Sequence, residues 1–252
     1  MPNARKRTAF VTGASQGMGA SLALHLAREG YDVAVSGTQI GNLNNTVAAL
    51  EAEGVRVVAV ALDLRAQGSI EQAMAQVLGE FGELDVLVNN AGVTTRSLAV
   101  DVTREEWASV MDVNLTGTFF MCQQMGLHLI AQQRAGCIVN ISSTHGLVGF
   151  AQRSVYGISK AGISHMTRML AIEWAAHHIR VNAVAPGTVA TPSRVAFFSA
   201  DSGGFKAMIE RVPLGRLCEM DEVAAMVGYL ASEKAAYITG QTMMLDGGLT
   251  AY

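Results

Sequence analysis

Tyr156 and Lys160 stand four residues apart in the run Tyr156-Gly157-Ile158-Ser159-Lys160. Residues 154–176 carry apolar side chains at helical spacing, so the phenol and the amine fall one turn apart on one face. A free phenol titrates near pKa ~10 and exchanges protons poorly at neutral pH. A fixed ammonium beside it favours the phenolate and draws that pKa toward working pH. The pair is therefore suited to general acid–base chemistry. The same spacing also arises wherever a Tyr ring packs on a Lys stem, so the surrounding elements have to decide.

Those elements alternate. Residues 7–12 form a short apolar strand that runs into Gly13-Ala14-Ser15-Gln16-Gly17-Met18-Gly19, and a helix follows over 17–29. Strand, glycine loop and helix form a phosphate cradle: glycines let the backbone approach a pyrophosphate, and the helix N-terminus offers free N–H groups. Strands are predicted at 32–36, 55–62, 84–89, 137–142, 180–185 and 241–245. Helices are predicted at 43–53, 69–81, 103–133, 154–176 and 220–231. Near-continuous Val/Ile/Leu strands joined by helices indicate a parallel sheet covered on both faces. The fold class is α/β, a doubly wound parallel sheet of Rossmann type with about seven strands in three α/β/α layers. Functional residues are then expected at the carboxyl ends of the strands. Asp63, Asn89-Asn90-Ala91-Gly92, Ser142-Ser143 and Pro186-Gly187 fall there.

Composition narrows the classes. The chain has 252 residues, half of them hydrophobic, with no linker or repeat, so we read residues 1–252 as one domain carrying both cofactor and substrate sites. A net charge of −3 argues against nucleic acid as a partner. Arg5-Lys6-Arg7 is the one basic cluster, read as a solvated N-terminus. No apolar run is long enough to span a membrane and no signal peptide is evident, so the expected location is cytoplasmic. Cys122, Cys137 and Cys218 have no metal or redox spacing and read as reduced thiols. His177-His178 are adjacent and do not share a helix face, so no metal site is expected.

Taken together, Thr12-Gly13-x-x-x-Gly17-x-Gly19, Asn89-Asn90-Ala91-Gly92, Asn114, Ser143, Tyr156-x-x-x-Lys160 and Pro186-Gly187 resemble a short-chain dehydrogenase/reductase over the whole length. Ser143 stands thirteen residues before Tyr156, as in that family. The resemblance implies an oxidoreductase that interconverts a ketone and a secondary alcohol. It implies that Tyr156 exchanges a proton with the substrate oxygen, and that Lys160 lowers the Tyr156 pKa and holds the nicotinamide ribose. Ser143 would bond the carbonyl oxygen, with Ser142 supporting the strand end. Asn114 would bend its helix and hold a water linking Lys160 to solvent. Gly13, Ser15, Gln16, Gly17, Met18 and Gly19 would cradle the cofactor, with Asp63 and Leu64 at the adenine. Asn90, Ala91 and Gly92 would line the cleft, and Pro186, Gly187, Val189 and Thr191 would meet the nicotinamide. Family members are usually homotetramers or homodimers, with residues 103–133 and 154–176 expected to pair. Met166 and Met169 would lie at that interface or in the core.

The end of the second strand, Val35-Ser36-Gly37-Thr38-Gln39, has no carboxylate. An acidic residue there would bind the 2′-hydroxyl of NAD and repel a 2′-phosphate. Its absence favours NADP(H), with Ser15, Gly37, Thr38 and Gln39 as candidate phosphate contacts. NAD(H) stays open, because Gln16 and Thr38 occupy places where basic residues often grip the phosphate.

Residues 192–212 break the alternation and are read as a lid over the nicotinamide cleft. Phe197, Phe198 and Phe205 would give its apolar face, and Gly203-Gly204 with 199–202 its hinge. Arg153 and Arg194 are candidates for a substrate carboxylate, or else for surface or subunit salt bridges. His145 either lines the pocket or packs beside it. The pattern also resembles 3-oxoacyl-acyl-carrier-protein reductases. Arg134 matches a carrier-docking position, whereas its companion position is His177, which weakens the carrier reading. The preferred substrate is a 3-oxoacyl thioester. Hydroxy acids, sugar acids and polyols are the alternative, and a non-catalytic nucleotide sensor is a remote one.

Overall fold

Valine, isoleucine and leucine runs become strands here because helices cover both faces of the sheet. The computed structural model describes residues 5–200 and 202–251, with the side chains of 198–200 and 202–205 outside the described part. The strands are β1 Thr8–Val11, β2 Asp32–Gly37, β3 Val57–Ala61, β4 Val86–Asn89, β5 Gly136–Ile141, β6 Ile179–Pro186 and β7 Thr242–Leu245. They pair in parallel in the order β3-β2-β1-β4-β5-β6-β7. The order reverses between β1 and β4, which opens a crevice at the carboxyl ends of the strands.

The helices are α1 Gly17–Arg28, α2 Asn44–Ala52, α3 Gln67–Phe81, α4 Arg104–Met111, α5 Thr118–Ala131, α6 Ser154–Trp174, α7 Pro192–Ala200, α8 Ser202–Ile209 and α9 Met220–Ala231. Successive strand residues feed opposite cores. Val86 and Val88 pack with Leu22 and Leu26 of α1, Leu50 of α2, and Val223 and Leu230 of α9. Leu87, between them, packs with Met74 of α3, Met121 and Met125 of α5, and Leu170 of α6. Each such fully buried side chain contributes about 1.5–3 kcal/mol by leaving water. Met166 belongs to this second core, whereas Met169 is exposed.

Two sequence expectations change. The helix predicted over 103–133 is two helices joined by a π-helical turn, Asp112–Gly117. The extra residue in that turn carries Asn114 inward, to 0% exposure. The predicted hinge glycines Gly203 and Gly204 lie within α8. The side chains of Phe198 and Phe205 fall outside the described residues.

The basic N-terminus is exposed at Arg5 and Lys6, as a solvated segment would be, but its cations are ion-paired. Arg5 pairs with Glu83 and with Asp85 (2.6 Å), and Lys6 with Asp32 (3.6 Å). Arg7 lies over the Tyr31 ring and donates to the Ala231 carbonyl (3.0 Å). Arg134 joins the same cluster, bonded to Glu83 and to Asp85 (2.8 Å). These acids gather at the amino ends of β1, β2 and β4, so the cations there are drawn onto the sheet. Arg134 is thus engaged within the chain, at the sheet edge opposite the crevice.

Candidate active site

The glycine loop is braced from two sides. Asn90 Nδ2 donates to the carbonyls of Thr12 and Gly13 (both 3.0 Å). Thr12 Oγ1 accepts from the backbone N–H groups of Asn90 and Ala91 (both 3.1 Å). Ala14 N donates to the Ser36 carbonyl (2.8 Å) at the end of β2. Gly13 holds φ +65°, and a side chain there would meet the Ala91 Cα at 2.7 Å. A Cβ on Gly19 would run into the Gly13 carbonyl. The loop is therefore shaped by backbone contact, and it delivers the α1 N-terminus to the crevice. No side chain caps that helix end, and its first turn carries no acid. Free N–H groups and partial positive charge there fit a pyrophosphate.

The catalytic candidates converge at the next strands. A cavity of about 720 Å³ is lined by Ser143, Tyr156 and Lys160, and by Met18, Asn90, Gly92, Pro186, Gly187, Val189 and Thr191 from the predicted cofactor set. Ser15, Gln16, Gly37, Thr38, Asp63 and Leu64 lie outside this cavity. Gln16 and Thr38 are exposed. Asp63 forms a bidentate pair with Arg65 (2.9 and 2.7 Å), which holds its carboxyl below the ordinary value. Leu64 is buried at 6% exposure in the second core.

Ser142 and Ser143 divide clearly. Ser142 Oγ bonds the Lys160 carbonyl (2.9 Å) and Ser164 Oγ (2.8 Å), which ties the end of β5 to α6. Ser143 Oγ accepts from His145 N (3.2 Å) and lies 3.3 Å from His145 Nδ1. Lys160, at 4% exposure, donates from Nζ to the Ile141 carbonyl (2.8 Å). Burial draws its pKa down to about 8. Asn114 Oδ1 accepts from Val93 N (2.8 Å), while Nδ2 donates to the Val93 carbonyl (2.9 Å) and Ser159 Oγ (3.1 Å). It pins the loop after β4 against α6.

Burial raises the Tyr156 pKa, while the Ser143 hydrogen bond and the charges of Arg153 and Arg194 act the other way. The sequence assigns the lowering to Lys160. Here its Nζ lies 5.7 Å from the Tyr156 ring centroid and is directed at a carbonyl. His145 both lines the cavity and packs edge-on against Phe150 (5.2 Å) and Tyr156 (5.9 Å). Burial, with Arg153, Arg194 and Arg211, holds its pKa below the ordinary value.

Arg153, Arg194 and Phe197 line the same cavity. Sequence reasoning missed Arg96, Phe150, Met208 and Arg211. Arg96 and Phe150 come from irregular segments, whereas Met208 lies in α8 and Arg211 just after it, both within the expected lid 192–212, and no spacing rule links these four to Tyr156. Among the described residues, no cluster of three or more His, Cys, Asp or Glu side chains is placed to hold a metal. No described helix is long and apolar enough to cross a membrane.

Comparison with known proteins agrees with this geometry. Residues 13–250 match the family model described as enoyl-(acyl carrier protein) reductase. The 3-oxoacyl-[acyl-carrier-protein] reductase FabG of Staphylococcus epidermidis is 39% identical over 247 residues, spanning 96% of this chain and 98% of its own. The 3beta-hydroxysteroid dehydrogenase 1 of Eggerthella lenta is 36% identical, spanning 98% and 94%. The crystal structure of an actinorhodin polyketide ketoreductase variant with NADPH superposes with TM-score 0.92 at 35% identity, covering 98% of both chains. The chain belongs to the short-chain dehydrogenase/reductase family. Within it, the chain is similar to 3-oxoacyl-acyl-carrier-protein reductases and is a nicotinamide-dependent oxidoreductase of CH–OH groups.

Proposed function

We propose that this protein reduces a ketone to a secondary alcohol, and runs the reverse, with NADP(H) preferred over NAD(H). The carrying observation is the convergence of Ser143, Tyr156 and Lys160 on one cavity beside the braced glycine loop. The cofactor, when bound, supplies or accepts the hydride. Tyr156 gives its phenolic proton to the carbonyl oxygen as charge develops there. Its raised pKa keeps that proton in place at neutral pH. Ser143 donates to the same oxygen and steadies the charge. Lys160 holds the ribose, and Asn114 positions the loop after β4 and a water leading to Lys160. The 2′-phosphate is taken near Ser15, Gly37, Thr38 and Gln39, with Gln16 and Met18 along the cleft and Asp63 at the adenine.

The one α/β unit carries both sites, with residues 192–212 as lid. We place the enzyme in the cytoplasm as a homotetramer or homodimer. The exposed apolar side chains Trp107 and Leu127 of α4 and α5, and Met169 and Ile172 of α6, supply pairing faces. The relatives' names favour a 3-oxoacyl thioester as substrate. The arginines lining the cavity favour a second reading, a hydroxy acid or sugar acid. Steady-state absorbance assays with NADPH and NADH, on acetoacetyl thioesters and on keto acids, test the proposal. Faster turnover with NADPH is expected, and kcat/KM equal or better with NADH would reverse the cofactor assignment.

A further inference from the structure

Ser143 is carried by a single turn. Thr144–Gly146 form one turn of 3₁₀ helix after β5. Ser143 caps that turn: its Oγ accepts from His145 N (3.2 Å), and its carbonyl accepts from Gly146 N (2.9 Å). Ser143 and Gly146 are thus the two ends of one short, bonded link. Gly146 is not among the residues that line the cavity.

The far end of the link rests on the main chain of α6. A Cβ on Gly146 would stand 2.8 Å from the Lys160 carbonyl carbon and 2.9 Å from both the Lys160 oxygen and the Ala161 nitrogen. Gly157 returns the contact, since a Cβ there would stand 2.8 Å from the His145 carbonyl oxygen. These are backbone atoms, so no side-chain rotation relieves a clash. Ser142 Oγ donates to the same Lys160 carbonyl (2.9 Å) and clamps the end of β5 to the helix.

A methyl group at position 146 must therefore move one partner. The helix α6 has 21 residues and is anchored in the second core by Met166 and Leu170. The turn is short and leads into residues 147–152, all exposed. The turn is the softer partner. It would swing outward by roughly 0.5–1 Å, the gap between these approaches and ordinary carbon contacts, and take Ser143 with it.

We infer that Gly146 is a positioning residue: the side chain it lacks sets the offset between Ser143 and Tyr156. It lies outside the cavity and acts through Ser143. This rests on the reading of Ser143 as a donor to the substrate oxygen, and it adds what holds that donor in place. Misplacing a reacting group by about 1 Å costs up to about 10²-fold in rate. Removing such a donor outright costs about 10²–10³-fold.

The test is a double-mutant cycle on the full chain, with NADPH and acetoacetyl-CoA. Gly146→Ala is expected to lower kcat about 10–100-fold while the NADPH dissociation constant stays within about twofold. In a Ser143→Ala background the same substitution should cost less than about threefold, because the group it displaces is already gone. Equal losses in the two backgrounds, or an undiminished kcat in Gly146→Ala, overturn this inference alone. An undiminished kcat in Ser143→Ala removes the donor reading and this inference together. A second readout needs no turnover. Hydrogen exchange of the NADPH-loaded Gly146→Ala chain should quicken over residues 143–148 and stay unchanged over 158–170. Faster exchange in the helix with the turn unchanged also overturns the inference. Where Gly146→Ala does not fold, Ser142→Ala loosens the same clamp without adding atoms, and the same cycle with Ser143→Ala decides.

Discussion

Arg134 and Arg153 stand at opposite edges of one sheet and meet opposite company. At the amino edge, Arg5 and Arg134 share Glu83 and Asp85, and the Asp85 carboxylate also accepts from Thr8 N (2.7 Å). At the carboxyl edge, Arg96 and Arg153 are bonded to neutral oxygens, and the described lining of the cavity holds no carboxylate. A cation whose counter-charge lies in the same chain holds strands together. A cation held by neutral groups has its charge less fully offset by them. Residue type alone therefore does not assign an arginine to structure or to function; the partner does.

Removing the counter-charge at the amino edge should produce the largest effect on stability. Asp85→Asn leaves Arg5 and Arg134 with less compensation and is expected to cost about 2–4 kcal/mol in urea unfolding. Relative kcat/KM values among substrates should not change. A shift in substrate preference would break the division between the two edges.

Lys160 is the buried cation of the carboxyl edge, and Lys160→Met should show what its placement costs. Its pKa of about 8 lies below the ordinary 10.5, so the folded chain disfavours the ammonium. That penalty is fully present below pH 8. It disappears between about pH 8 and 10.5, where the unfolded chain binds more protons. The variant is expected to be more stable at pH 7 by about 2 kcal/mol, to lose that advantage by about pH 10.5, and to lose turnover. Equal stability at all pH values would contradict the burial cost.

At the carboxyl end of β2, Gly37 offers neither charge. A Cβ there would make only ordinary contacts, 3.5 Å from Leu43 Cδ2 and 3.6 Å from the Gln39 carbonyl. Gly37→Asp therefore fits, and should shift the NADPH to NADH ratio of kcat/KM toward NADH by about tenfold. An unchanged ratio would place the 2′-phosphate elsewhere. The smallest expected change comes from giving Arg153 an internal partner. Under the hydroxy-acid reading, Thr94→Asp should raise the KM of the acid a few-fold, with stability altered by less than about 1 kcal/mol.

The parallel sheet and its seven strands were legible because periodicity and parallel connectivity leave few alternatives, whereas the strand order came only with the structure. The positions of Ser143, Tyr156, Lys160 and the glycine loop followed from strand ends and helix spacing. The π-helical turn at Asn114 could not be read from apolar spacing, because it is fixed by bonds to Val93 and Ser159 from other elements. Arg5 read as part of a solvated N-terminus and Arg134 as a carrier-docking match, since Glu83 and Asp85 reach them only through folding. Arg96 stayed invisible because an irregular segment brings it to the cavity, and Arg211 was covered only as part of the expected lid 192–212.

Tyr156→Phe tests the central claim most directly, with NADPH dissociation constants and NADPH-linked turnover measured on the same preparation. The phenol is placed to transfer the proton, so turnover should fall by about 10²–10⁴-fold while NADPH binding stays within a few-fold. Retained turnover in the variant would contradict the account and move the proton donor away from Tyr156.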